Sequence, residues 1–264
     1  MGYLSEELLL RIQLEQPLLG IEEKDVVCVK IAGICHDVGH GPYSHIFDGE
    51  FRKCGRVARS TGRWMGRTFP TEVYEGVEQL PEGWAHEDDS LMMIDAMLAH
   101  LGLAIDERNL DSPLKQIGDG VDAHQFGIVD SSSKQMIPLT SRDWIFIKEC
   151  IAGGPLPPKG MSIDYFKKSN ERAEYAGRPH PNKEFLYDVV SNRHSGFDFD
   201  KGDYLARDKF YCFGFKGFEQ QVLERLLDNA CVAWGECADP KKCFRCKHDV
   251  DGRGVPIAGK HLTV

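Results

Sequence analysis

The residues with the most chemistry per unit length are Cys35-His36-Asp37-Val38-Gly39-His40-Gly41-Pro42-Tyr43-Ser44-His45. Three imidazoles and one carboxylate stand close together there. Adjacent His36 and Asp37 bind one cation only where the backbone turns both side chains to the same side, as a helix end can. Imidazole with carboxylate suits iron, manganese, zinc or nickel better than calcium. Gly39 and Gly41 are expected to relax the backbone, so that His40 and His45 turn toward a ligand. A lone His-Asp pair is usually packing. Three histidines beside two glycines are poor core material, so the whole string points to a site.

A second segment, Asp198-Phe199-Asp200-Lys201-Gly202-Asp203-Tyr204-Leu205-Ala206-Arg207-Asp208, reads as a helix. On it Asp200, Tyr204, Arg207 and Asp208 share one face. That face offers a carboxylate for a metal, a phenol, a guanidinium and a second carboxylate. Lys201, beside the first carboxylate, has the reach for a phosphate. Taken alone, such a face is more often solvated and internally ion-paired. The third segment is Trp84-Ala85-His86-Glu87. His86 opens a helix beside three acids, which tend to raise its pKa. A histidine poised near neutrality is a good proton donor to a phosphate leaving oxygen.

The elements that must position these groups are mostly helices. Leu4 to Leu19 predicts a helix with Ser5 as N-cap and Gly20 as its stop. Asp25 to His36 is apolar and valine-rich, so a helix and a buried strand both fit. His86 to Leu101 has acids in its first turn and a stripe of Leu91, Ile94, Met97, Leu98 and Leu101. Ser141 to Ile151, Lys183 to Arg193, Phe197 to Phe213 and Phe218 to Trp234 also read as helices. Residues 52–83, 102–140 and 153–182 read as loops or insertions. Arg52, Lys53, Arg56, Arg59, Arg63 and Arg67 make a basic stretch in the first of these. A solvated loop is its commoner meaning, ahead of a phosphate- or partner-binding loop. The expected class is mainly α.

A chain of 264 residues with 42% hydrophobic and 28% charged residues can build a buried core and fits a soluble globular protein. No apolar run approaches the roughly 18–20 residues that cross a bilayer, so no membrane partner is expected. The start lacks a basic n-region and a cleavage site, so it is not read as a signal peptide. Position 6 is Glu, which argues against myristoylation at Gly2. Nine cysteines without an export signal imply reduced thiols and a location in nucleus or cytoplasm. A net charge of −9 argues against broad nucleic-acid binding. A phosphate-bearing small molecule remains compatible, because a metal and a few cations reverse the field inside a cleft.

The three segments, in this order, resemble the HD-domain superfamily. They look most like the eukaryotic deoxynucleoside triphosphate triphosphohydrolases that join a sterile-alpha-motif domain to an HD domain. The strings that carry the resemblance are residues 31–49, 84–87, 146–149, 183–192 and 198–208. The resemblance implies a helical HD-domain phosphohydrolase core over residues 1–235, with insertions near 52–83, 102–140 and 155–180. It implies release of the whole triphosphate from a deoxynucleoside triphosphate. His36, Asp37 and Asp200 match metal ligands, with iron, manganese, zinc or magnesium as the cation. His86 matches the catalytic histidine and Asp48 its orienting carboxylate. His40, His45, Lys201 and Tyr204 match residues that contact phosphate or substrate, and Asp208 matches one near the sugar. A homo-oligomer is also implied.

The family's first metal-binding histidine lies some forty residues before the His-Asp pair, and no histidine precedes His36 here. His100, His124, His180 and His194 are alternative donors. A truncated gene model is expected ahead of a degenerate paralogue or a working variant. The competing function is a catalytically inactive regulatory or nucleic-acid-binding module that uses the arginine-rich loop. Residues 236–264 read as a flexible tail. Cys231, Cys237, Cys243, Cys246 and His248 offer one Cys-x2-Cys. Their spacing favours reduced thiols over a structural zinc.

Overall fold

The computed structural model describes residues 1–47, 63–64, 67–68, 84–129, 134–168, 174–178, 183–192, 198–214, 219–236 and 260–263. Its helices are α1 (Gly2–Glu15), α2 (Glu23–Cys35), α3 (His86–His100), α4 (Ser141–Ala152), α5 (Tyr165–Lys168), α6 (Phe199–Phe213) and α7 (Glu219–Asn229). The described strands form four short antiparallel pairs. They are β1 (Arg63–Trp64) with β2 (Arg67–Thr68), β3 (Leu103–Ala104) with β4 (Lys115–Gln116), β5 (Gly127–Val129) with β6 (Met136–Pro138), and β7 (Ala233–Glu236) with β8 (Lys260–Thr263). The class is mainly α, as the sequence implies. No described helix is long and apolar enough to cross a membrane.

Helix α2 is the central element, packed between α1 and α4. Its valines left helix and strand equally open. Asp25, Val26, Cys28, Val29, Ala32 and Gly33 are buried, a spacing that only a helix brings to one side. A reciprocal cap starts it, with Glu22 N–H donating to the Asp25 carboxylate at 3.0 Å. Leu8, Leu9 and Ile12 of α1, Ile94 and Leu98 of α3, and Phe146, Ile147 and Cys150 of α4 complete the same core.

Four sequence expectations need correction. The first helix begins at Gly2 with Met1 as N-cap, so Ser5 is inside it. Ser5 is fully buried and its hydroxyl donates back to the Met1 carbonyl at 3.2 Å. The helix stops at Glu15, because Pro17 opens a separate 3-10 turn (Pro17–Leu19) that ends at left-handed Gly20. Lys183 to Arg193 is not an α-helix: Glu184–Asp188 is a 3-10 turn, buried throughout and held by its tertiary contacts. The last helix ends at Asn229 rather than Trp234, and Ala233–Glu236 pairs with Lys260–Thr263. Tyr43 and Ser44 have positive φ, whereas Gly39 and Gly41 do not.

A buried ionic network locks α2 to its neighbours. Arg178 donates to Asp25 at 2.7 Å and to Asp143 at 2.8 Å. Lys183 reaches Asp25 at 2.6 Å and Lys24 reaches Asp143 at 3.2 Å. Burial opposes ionisation of Asp143, but hydrogen bonds from Thr140 and the charge of Arg178 prevail and hold its pKa low. Such a network stabilises only while it is complete, because removing one partner leaves a buried charge without its counterion.

Candidate active site

Helix α2 delivers its last turn to the site. His36 is the C-cap, where unsatisfied carbonyls favour a nearby cation. Its Nδ1–H donates to the Gly33 carbonyl at 2.9 Å. That bond sets the ring so that Nε2 faces outward, which is how ligating imidazoles are commonly oriented. Nε2 lies 3.2 Å from an oxygen of Asp37 and 3.0 Å from an oxygen of Asp200. The imidazole is 13% exposed, whereas both carboxylates are 36% exposed. The nitrogen is therefore recessed and the two acids form the rim.

Asp200 comes from the first turn of α6, 164 residues away in sequence. Two neighbours aim that turn. Phe199 is buried in the core. Asp198, the N-cap, accepts from Lys201 N–H at 3.0 Å and from Asn192 N–H at 3.0 Å. The second bond ties the start of α6 to the buried segment before it. The sequence places Asp198 in the right string but shows nothing of this role.

The three donor atoms of His36, Asp37 and Asp200 lie within 4.8 Å of one another. With metal–ligand bonds of roughly 2.1 Å, neighbouring donors on one cation stand about 3 Å apart, which is the spacing of Nε2 to both carboxylates. The donor set fits a divalent transition metal. Burial opposes charge on His36. Hydrogen bonds and charge from Asp200 and Asp37 outweigh it and push its pKa up to about 10. Burial also opposes ionisation of Asp37, yet His36, His40 and His86 keep its pKa low. The pocket thus favours positive charge between its acids, and a proton fills that role when a metal does not.

A second group of His40, His45 and His86 adjoins the first. His86 opens α3. Its ring stacks on His40 with centroids 3.7 Å apart, and His45 stands edge-on to both at 5.1 and 5.7 Å. Asp37 joins the groups, with one oxygen 3.5 Å from His40 Nε2 and 3.7 Å from His86 Nε2. On the other side of the ring, His86 Nδ1 is 3.4 Å from Glu87.

Close approach of the two segments explains Gly39. A Cβ there would meet Ser90 N at 2.2 Å and the His86 carbonyl at 2.5 Å. Gly41 has a similar reason, since its Cβ would meet the Phe47 ring at 2.3 Å. These glycines provide space rather than left-handed backbone. Ser90 is fully buried at the same junction. Sequence reasoning passed over it, because a serine after three acids reads as a solvated helix residue.

Six of the sequence candidates thus converge: His36, Asp37, His40, His45, His86 and Asp200. Lys201 and Tyr204 sit on α6 with Asp200, Lys201 exposed and Tyr204 half-buried. Asp208 is also in α6, but its side chain lies outside the described residues, as does the whole of Asp48. His100 and His124 belong to neither histidine group. His180, His194, most of the arginine-rich loop, and Cys237, Cys243, Cys246 and His248 are outside the described residues. Cys28 and Cys150 are buried free thiols, Cys35 is half-buried, and Cys212 and Cys231 are exposed.

No protein-family model matches the chain. Deoxynucleoside triphosphate triphosphohydrolase SAMHD1 from Bos taurus is 36% identical over 208 residues, covering 78% of this chain and 25% of that protein. The Homo sapiens protein of that name is 35% identical over 208 residues, 78% of this chain and 24% of its own length. The Danio rerio protein is 33% identical over 225 residues, 85% of this chain and 27% of its own length. The chain therefore spans about a quarter of the length of these curated relatives. That similarity, together with the helical architecture that brings the His-Asp pair to Asp200, places the chain among the SAMHD1-like HD-domain proteins.

Proposed function

We propose that the chain is a metal-dependent phosphohydrolase that acts on deoxynucleoside triphosphates, releasing deoxynucleoside and tripolyphosphate. The observation that supports this most is the convergence of His36, Asp37 and Asp200 beside the stacked pair His40 and His86. His36, Asp37 and Asp200 would hold the cation. A divalent cation there supplies Lewis-acid polarisation of a phosphoryl oxygen and lowers the pKa of a water. His86 Nε2 faces the same cleft and donates a proton to the departing 5′-oxygen. His40 and His45 give that cleft further donors for phosphate oxygens. Lys201, exposed next to Asp200, adds a mobile cation at the rim.

The test is product analysis with each deoxynucleoside triphosphate in the presence of manganese, magnesium or iron(II). Tripolyphosphate and deoxynucleoside in equal amounts support the reading. Stepwise release of orthophosphate contradicts the proposed bond cleavage. A metal-loaded chain that turns over none of these substrates, yet binds nucleic acid, supports the competing regulatory module.

A further inference from the structure

We infer that Ser90 is the positioning residue that sets His86 against the metal-binding His-Asp pair. The inference rests on the proposed hydrolase reading for its effect on rate, but its geometric content stands without it. The Ser90 hydroxyl donates to the His36 carbonyl at 2.6 Å. The same oxygen accepts from Gly39 N–H at 2.9 Å. One side chain of α3 thus holds both ends of the turn that contains Asp37, and it does so one helical turn after His86. Ser90 is fully buried, so water cannot replace either bond.

The two bonds meet needs that the local backbone leaves open. The His36 carbonyl lies at the end of α2, where the helix supplies no acceptor-satisfying N–H. Gly39 N–H follows in a turn that packs directly on the α3 backbone. The contact is also sterically tight, since only a residue without a Cβ fits at position 39. Hydroxyl and glycine together fix the spacing between α3 and the turn. On that spacing depend the His86–Asp37 distance of 3.7 Å and the stacking of His86 on His40. Two of the three metal ligands have anchors of their own, His36 through Gly33 and Asp200 through Asp198 at the start of α6. Loss of Ser90 therefore displaces the proton donor more than the cation.

The test compares Ser90→Ala with wild type and with Ser90→Thr, which keeps the hydroxyl. Two readouts are used: amide hydrogen exchange at Gly39, which needs no metal, and steady-state hydrolysis of a deoxynucleoside triphosphate at saturating manganese. In Ser90→Ala the Gly39 amide should exchange at least about tenfold faster. Its kcat should fall about 10- to 100-fold, as expected for a misplaced catalytic group, while KM and manganese affinity stay within about threefold of wild type. Ser90→Thr should restore slow exchange and most of kcat. If Ser90→Ala does not fold, Ser90→Thr against Gly39→Ala gives the same comparison, because the added Cβ separates the same surfaces. Unchanged Gly39 exchange, or unchanged kcat in a folded Ser90→Ala or Gly39→Ala protein, overturns the inference. A parallel loss of manganese affinity and kcat also overturns it, since the role would then be general support of the site. A wild type with slow Gly39 exchange and no hydrolysis defeats the hydrolase reading instead and leaves the geometric link measured.

Discussion

His36 Nε2 stands 3.0 Å from Asp200 Oδ1, although 164 residues separate them in sequence. An oxygen of Asp37 lies 3.2 Å from the same nitrogen. This arrangement raises the His36 pKa to about 10 from an ordinary 6.5. A cation and a proton therefore compete for one position. Metal affinity should rise roughly tenfold per pH unit from about pH 7 toward pH 10, with one proton released per metal bound. In the metal-free protein the sign is opposite for stability. The His36 contribution is complete below pH 6.5 and is lost as pH rises toward 10. Calorimetric titration of manganese in buffers of different ionisation enthalpy measures the proton. Binding without proton release at pH 8 would contradict the assignment.

His86 is expected to act on protons and not on the metal. His86→Ala should keep manganese affinity within a few-fold and lose at least about a hundredfold in turnover. Metal titration and initial rates on the same preparation check both halves. Full activity of this variant would remove His86 from the proposed mechanism.

The Asp25–Arg178–Asp143 network should behave as one unit. Arg178→Met leaves two buried carboxylates short of their guanidinium, at a cost of about 3–5 kcal/mol. Lys183 and Lys24 remain and keep the loss toward the lower end. Urea unfolding monitored by circular dichroism gives the number. A variant as stable as wild type would show that the pairs only offset their own desolvation.

Glu149 of α4 offers a separate pH test. Its carboxylate accepts from Ala176 N–H at 2.8 Å, Gly177 N–H at 3.0 Å and the Tyr187 hydroxyl at 3.0 Å. Burial outweighs these donors and pushes its pKa up to about 7 from 4.5. A raised carboxyl pKa means that the folded state holds the proton more tightly. Its stability contribution is full below pH 4.5 and is lost as pH rises through 7. Glu149→Gln should flatten that slope. It should also cost about 1–3 kcal/mol, because an amide cannot accept from all three donors. Unfolding free energies of the two proteins at pH 5, 6, 7 and 8 check the slope. Parallel pH profiles would contradict it.

Much of the site was legible in the sequence because its residues cluster in short strings. His36, Asp37, His40 and His45 lie within ten positions, and three imidazoles in a Gly-containing turn have little use in a core. Asp200 shares a helical face with Tyr204 and Asp208, which alone reads more often as solvated; the resemblance of its string singled it out. Ser90 and Asp198 were not legible. Each acts through hydrogen bonds to distant backbone, and residue type alone does not reveal such partners. The same limit explains the elements. The 3.6-residue pattern of α3 and α4 shows plainly, whereas the valines of α2 suit a strand equally well. Contacts with α1 and α4 decided that case. Glu184–Asp188 has helical composition, but the surrounding core holds it as a 3-10 turn. The close packing at Gly39 and Gly41 was not legible, because sequence shows a missing Cβ without showing the neighbour that excludes it.

The measurement closest to the central claim is a crystal structure of the manganese-soaked protein, with anomalous data collected at the manganese edge. The expected result is one anomalous peak about 2.1–2.3 Å from His36 Nε2 and from carboxylate oxygens of Asp37 and Asp200. A peak elsewhere, or a protein with manganese in the drop and Asp200 turned away from His36, would contradict it.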